Sequence, residues 1–239
     1  MSKPFTLPSV AFFGRTYEEY LEMFSLKEAD LRGASILDCP SGPAAFIARA
    51  AELGARAVGC DPMYSLAPDE LAVRAKSNID DAFAALDSTT VQFHFRDPAK
   101  FVADKYEALE SFLVDYRAGR GVRYVPASLP HLPFADRSFD LVLSSNFLFC
   151  YASVANGGIL AADTFDLNFH LCSVTELARV AARELRLVPT HGMQQPPRPH
   201  PFLAAARARL ESLEFTVTLE PSEYDDGFDP LVHVLVARR

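Results

Sequence analysis

Between Ala34 and Asp61 the chain changes character three times in a span that fits a single β-α-β unit. Ala34–Asp38 is an apolar strand-like run that ends in an acid, and Cys39-Pro40-Ser41-Gly42-Pro43-Ala44 is a turn. Phe46, Ile47, Ala50, Ala51 and Leu53 then recur at helical spacing until Gly54, and Ala57–Cys60 forms a second apolar run closed by Asp61. Pro43 suits the first turn of that helix, where a missing N–H costs nothing. Two strands joined by a helix lie parallel, with a right-handed crossover. Parallel sheets are covered on both faces, so the chain is committed to a layered α/β architecture.

The remaining segments extend this unit. Thr16–Ser25 reads as a helix with Thr16 as N-cap, and Tyr17, Tyr20, Leu21 and Phe24 share one face. Residues 1–10 read as a loosely packed arm. Helical patterns at 68–86 and 98–117, dotted with Phe and Tyr, make the stretch of about 62–121 longer than a crossover requires. It reads as a helical cap inserted into a single domain spanning 1–239, with a crossover helix plus a packed excursion as the alternative. Further strands are expected at Val122–Val125, Leu141–Ser145, Glu184–Val188, Phe215–Leu219 and Val232–Ala237, and helices at Ser173–Ala182 and Phe202–Leu213. A short acidic loop separates the last two strands, so they should pair antiparallel.

Composition narrows the classes of function. A chain of 239 residues that is 49% hydrophobic can bury one full core. No apolar run nears the roughly 20 residues needed to span a bilayer, and the N-terminus lacks a signal-peptide core. No membrane association is expected. Cys39, Cys60, Cys150 and Cys172 are scattered and read as reduced thiols of a cytoplasmic protein. A net charge of −8 argues against nucleic acid as a partner. Arg179, Arg183 and Arg186, with Arg207 and Arg209, read as solvated helix faces. The six histidines form no metal-ligand spacing, so no metal is expected. His131 and His170 are candidates for a general base, although no catalytic group stands out. Oligomeric state is left open.

Leu132-Pro133-Phe134, followed by Ser138-Phe139-Asp140 and the apolar run Leu141–Ser144, reads as a loop feeding a buried strand. Together with the 34–61 unit, it resembles the class I, Rossmann-like S-adenosylmethionine-dependent methyltransferases. Phe12-Phe13-Gly14-Arg15-Thr16-Tyr17, with Tyr20, is similar to the entry helix of a largely uncharacterised bacterial subgroup of these enzymes. The resemblance implies a seven-stranded, mostly parallel sheet in a three-layer sandwich, with strand order 3-2-1-4-5-7-6 and strand 7 antiparallel. It implies S-adenosylmethionine as cofactor and methyl transfer as the reaction, while the acidic charge and the aromatic cap favour a small-molecule acceptor over nucleic acid.

The resemblance also assigns roles. The loop carrying Pro40 and Gly42 would wrap the aminoacyl and ribose parts of the cofactor, and Asp38 would attract its ammonium. Asp61 would accept hydrogen bonds from the ribose hydroxyls, as acids do at this place in dinucleotide folds. Met63 and Leu129 would cover the adenine, Ser128 would contact its amino group, and Arg15 would pair with the cofactor carboxylate. Ser145 completes the cofactor set. Asn146, Phe147 and Tyr151, near the exit of the fourth strand, and Tyr20, on the N-terminal helix, would face the acceptor. Pro40 and Ala44 stand where the family usually has glycine. That departure keeps open a catalytically inactive S-adenosylmethionine-binding protein of the same fold, and a nicotinamide-dependent oxidoreductase is a further alternative.

Overall fold

The computed structural model describes residues 4–89, 93–193, 196–227 and 232–239, with only the backbone described at 87 and 88. Its centre is a seven-stranded sheet: β1 (Ser35–Asp38), β2 (Arg56–Cys60), β3 (Tyr124–Val125), β4 (Phe139–Ser145), β5 (Ala181–Val188), β6 (Thr216–Pro221) and β7 (His233–Arg238). The order is β3-β2-β1-β4-β5-β7-β6. All pairings are parallel except those of β7 with β5 and with β6. This is the arrangement the resemblance implies.

The helices are α1 (Tyr17–Phe24), α2 (Glu28–Leu31), α3 (Phe46–Glu52), α4 (Pro68–Ser88), α5 (Pro98–Gly119), α6 (Leu167–Val180) and α7 (Leu203–Ser212). Strand alternation divides the core into two halves. Ile36, Leu141, Leu143, Val234 and Val236 face one way, against α1, α3, α4 and α5. Leu37, Val142, Leu185, Leu187 and Leu235 face the other, against α6 and α7. Among the described residues, no helix is long and apolar enough to cross a membrane.

Local chemistry sets most boundaries. Thr16 and Glu19 form a reciprocal capping box at the start of α1. Asp97 caps α5 by accepting from the Lys100 N–H at 2.9 Å, and Pro98 fills its first position. In the segment 62–121, α5 buries Leu109, Phe112 and Tyr116 in the core, as a crossover helix does, while α4 packs beside it.

Several boundaries differ from the sequence reading. The turn after β1 runs on to Ala45, so Pro43 lies outside α3; the Ala45 N–H donates to the Arg15 carbonyl at 3.0 Å. α6 starts earlier than Ser173, at an Asp166 cap that accepts from the Phe169 N–H. Its buried face includes His170 and Ser173, which disguise the apolar period. Arg183 and Arg186 lie on β5 and not on a helix. Arg186 is buried; it pairs with Glu184 and donates to the carbonyls of Phe24 and Ser25 at the end of α1.

The N-terminal arm is not loosely packed in its described part. Residues 1–3 lie outside the described residues, but Phe5 and Leu7 are buried, and the Leu7 N–H donates to the Ile159 carbonyl at 2.9 Å. The Phe12 N–H donates to Asn78 Oδ1 of α4 at 2.8 Å. A Cβ on Gly14 would meet the Pro43 carbonyl oxygen at 2.1 Å, so only glycine lets the arm lie on the β1 turn.

A buried ionic cluster fastens the arm to the body. Lys105 of α5, fully buried, pairs with Glu19, and Arg15 lies 3.8 Å from the same carboxylate. Burial opposes the charge on Glu19, but Lys105 and Arg15 outweigh it and hold the carboxyl below its usual range. Burial, reinforced by Arg15, pulls Lys105 down to about 7. Glu19→Gln keeps the helix cap but leaves Arg15 buried without its counter-charge and removes the group that holds a proton on Lys105. We expect it to lower the unfolding free energy by about 3 kcal/mol in urea titrations near pH 7. An unchanged midpoint would show that the pair contributes nothing.

Candidate functional site

The strand order reverses between β1 and β4, and open α/β sheets bind ligands in the crevice at the carboxyl ends of such strands. A cavity of about 530 Å³ lies at this edge. The β1 turn supplies Pro40, Ser41 and Gly42 to it, the end of β2 supplies Asp61, and β4 supplies Ser145. Met63, Ser128, Leu129 and Arg15 complete the cofactor-facing set chosen from sequence, and Tyr20, Asn146, Phe147 and Tyr151 line the same cavity.

Asp38 is the exception. It is fully buried and does not line the cavity. The Tyr20 hydroxyl, which does, donates to Asp38 Oδ2 at 2.8 Å and lies 3.5 Å from Ser145 Oγ. Asp38 therefore meets the site through Tyr20. Burial lifts its carboxyl to about 7, against the pull of the Ser41 and Tyr20 hydroxyls.

Asp61 is held at the cavity wall by backbone donors. Its Oδ1 accepts from the Met63 N–H at 2.8 Å and its Oδ2 from the Gly42 N–H at 3.2 Å. Burial raises it to about 6, with these two bonds working the other way. Gly42 has φ +55°, a left-handed backbone that suits glycine. A Cβ on Gly59 of β2 would meet Ser41 Oγ at 2.8 Å, so the turn is packed onto the neighbouring strand.

Among the described residues, few buried side-chain polar atoms lack a protein hydrogen-bond partner, and Asp38 Oδ1, Ser41 Oγ and Ser144 Oγ are three of them. All three lie at the carboxyl ends of β1 and β4. Of the three residues only Ser41 lines the cavity, and its hydroxyl also pulls on the Asp38 carboxyl.

The segment after β4 is tightly constrained. Asn146 has φ +49° and donates through Nδ2 to Met23 Sδ at 3.4 Å. Phe149, fully buried, has φ +68°, a strained backbone for a bulky residue. Its N–H donates to His170 Nε2 at 2.9 Å, and His170 Nδ1 lies 2.8 Å from the Asp166 carbonyl. Both ring nitrogens of His170 are engaged in structure, and burial keeps the ring neutral by lowering its pKa. His131 is exposed, and neither histidine lines the cavity. The Tyr151 hydroxyl accepts from the Ala11 N–H at 3.0 Å, tying the N-terminal arm to this segment.

Other lining groups escaped the sequence reading. Tyr224 and Asp226 come from the acidic loop after β6. The Tyr224 hydroxyl accepts from Arg15 Nε at 2.6 Å, and Asp226 Oδ2 lies 2.8 Å from His191 Nε2. Phe165 and Phe169 also line the cavity. The sequence signal for the loop was its acidic, aromatic character between two strands, which by itself says nothing of where the loop folds back. Among the described residues, no group of three or more His, Cys, Asp or Glu side chains is arranged to hold a metal. The cysteines are free, and Cys150, on the cavity wall, is pushed by burial to about 12.

The sheet order, with its antiparallel seventh strand, defines the fold as that of the class I S-adenosylmethionine-dependent methyltransferases. No family model matches the chain. The uncharacterized protein MJ0045 of Methanocaldococcus jannaschii is 27% identical over 187 residues, covering 77% of this chain and 79% of that protein. Similar solved structures include the magnesium protoporphyrin IX methyltransferase ChlM of Synechocystis PCC 6803 with bound SAM. It has a TM-score of 0.48 and 15% identity, and the alignment covers 89% of this chain and 73% of that one. Another is the 1,6-didemethyltoxoflavin-N1-methyltransferase of Burkholderia thailandensis, with a TM-score of 0.47, 13% identity and coverage of 91% and 76%.

Asp38 provides a test of the site's electrostatics. A carboxyl raised from its unfolded value to about 7 gives stability present at low pH and lost as pH rises through 7. Asp38→Asn removes that loss while keeping an acceptor for Tyr20. Relative to wild type, the variant should gain up to about 4 kcal/mol of unfolding free energy between pH 4 and pH 8. Parallel stability curves for the two proteins would contradict the assignment.

Proposed function

We propose that the protein is an S-adenosylmethionine-dependent methyltransferase acting on a small-molecule acceptor. The observation that carries this reading is Asp61, a cavity-lining carboxylate at the end of β2, held by the N–H of Gly42 in the glycine turn after β1. S-adenosylmethionine is the cofactor, and when bound it supplies a sulfonium methyl group that is already electrophilic. Asp61 accepts the ribose hydroxyls. Pro40 and Gly42 shape the turn around ribose and aminoacyl group, with Ser145 beside it. Met63 and Leu129 cover the adenine, and Ser128 contacts its amino group.

Arg15 holds the cofactor carboxylate. The position of its guanidinium is fixed by Tyr224 and by bonding to the Gly14 carbonyl at 3.2 Å. Asp38 acts on the ammonium through Tyr20. Asn146, Phe147 and Tyr151 face the acceptor, and Tyr20 stands between the two. The work left to the protein is to align the reacting atoms and exclude water, which the packed N-terminal arm and the helical cap accomplish. We assign the chain to one domain, 1–239, with the cap within 62–121. Its free thiols fit a cytoplasmic protein.

Isothermal titration of the purified protein with S-adenosylmethionine and S-adenosylhomocysteine tests this reading. Asp61→Ala removes charge-assisted hydrogen bonds and should weaken both ligands at least about tenfold. Affinity in the wild type should rise with pH through about 6 as Asp61 ionises, and Asp61→Ala should flatten that rise. A folded protein that binds neither ligand would end the methyltransferase reading.

A further inference from the structure

The cavity is far more aromatic than a nucleoside site requires, and its rings are organised. One row follows β4: Phe165 and Phe169 have centroids 4.6 Å apart, and Phe147 lies 5.2 Å from Phe165 and 6.0 Å from Phe169. A second row lies between α4 and α5: Phe95 stacks on Phe101 at 4.1 Å, and Phe93 stacks on Phe95 at 5.9 Å. All six rings line the same cavity.

One carboxylate is fixed beside the second row. The Gly227 carbonyl accepts from the His94 N–H at 2.8 Å, and Asp225 Oδ2 accepts from the Arg96 N–H at 2.7 Å. A Cβ on Gly227 would meet the Phe95 ring at 2.7 Å, so the loop backbone is pressed onto that ring. Asp226, the residue between these anchors, lines the cavity and is backed by His191 at 2.8 Å. The second ring nitrogen of His191 lies 3.0 Å from the Gly192 carbonyl. Both nitrogens thus face acceptors, an arrangement that suits the doubly protonated imidazolium and keeps a counter-charge on Asp226.

We propose that the methyl acceptor is a flat aromatic molecule carrying a hydroxyl or ring N–H. The two phenylalanine rows hold its ring, and Asp226, positioned by His191, accepts a hydrogen bond from that donor. The inference rests on the methyl-transfer reading for its role, but the aromatic site is tested apart from it. Flat rings pack against phenylalanine faces and edges with more than their area alone provides, and a saturated molecule of equal size does not gain that term. A carboxylate in the cavity wall favours a donor over its methylated counterpart, because the donor adds a charge-assisted hydrogen bond that the ether cannot make. It disfavours aromatic anions.

The chain has no tryptophan, so the fluorescence of a bound aromatic probe is read without an indole background. The experiment titrates 2-naphthol by its own fluorescence. 2-Methoxynaphthalene and decahydro-2-naphthol are measured by displacement, and S-adenosylhomocysteine is titrated separately. For wild type, 2-naphthol should bind about tenfold tighter than either comparison compound. Asp226→Asn, which keeps an acceptor but loses the charge, should weaken 2-naphthol and narrow its gap to the methyl ether. Phe165→Leu, which keeps apolar bulk, should narrow the gap to the saturated alcohol. S-adenosylhomocysteine affinity should be unchanged in both variants, which also certifies their fold.

Equal binding of aromatic and saturated probes overturns the proposal. So does an Asp226→Asn protein with unchanged 2-naphthol affinity. If wild type follows the aromatic pattern but never binds S-adenosylhomocysteine, the aromatic site stands and its role as an acceptor site is overturned.

Discussion

The cavity at the carboxyl ends of the strands depends on one buried carboxylate. Glu19 sits on α1 and draws in Lys105 from α5 and Arg15 from the end of the N-terminal arm. Tyr224, from the loop after β6, completes the group: its hydroxyl lies 3.3 Å from Glu19 Oε1 and accepts from Arg15. Three segments far apart in sequence thus converge on one charge. Such a pair loses solvation on both sides and is retained only where geometry repays it. Here the return is positional: the cluster sets Arg15 in the cavity wall and pins the loop that carries Asp226.

The cavity behind this cluster has two chemical characters. At the ends of β1 and β2 it is polar, with Asp61 on its wall and Asp38 one layer behind Tyr20. Both carboxyls are raised by burial, an electrostatic cost that a cationic or hydroxyl-bearing ligand relieves. Beyond Ser145 and Asn146 the walls become phenylalanine, with Asp226 as an acceptor among them. A ligand with a polar nucleoside half and a second, flat and mostly apolar molecule match these two ends.

Much of the frame was legible in the sequence, because strand and helix are written in local periodicity. The β-α-β unit at 34–61, the helix capped by Thr16 and the terminal antiparallel pair follow from residues within a few positions of one another. Most residues proposed to face the cofactor also line the cavity, since they sit at strand ends that any α/β sheet places together. The misplacements share a cause. Phe5 and Leu7 are too few to form a period, so the arm looked loose. His170 and Ser173 interrupt the apolar face of α6 although both are buried, and His170 does so because it accepts from the Phe149 N–H. Tyr224 meets Arg15 across almost the whole chain, and His191 meets Asp226 from another strand end. Such long-range pairings leave no local pattern. Asp38 was placed at the right strand end, but its distance from the cavity depends on the Tyr20 ring lying in front of it.

A crystal structure of the protein with S-adenosylhomocysteine tests the division of the cavity most directly. The account predicts ribose hydroxyls within hydrogen-bonding distance of Asp61, adenine between Met63 and Leu129, and the amino acid portion reaching toward Tyr20 and Arg15. The chamber lined by Phe147, Phe165 and Phe169 should stay free of the nucleoside. An adenine ring seated among those phenylalanines, with Asp61 making no contact to the ligand, would contradict it.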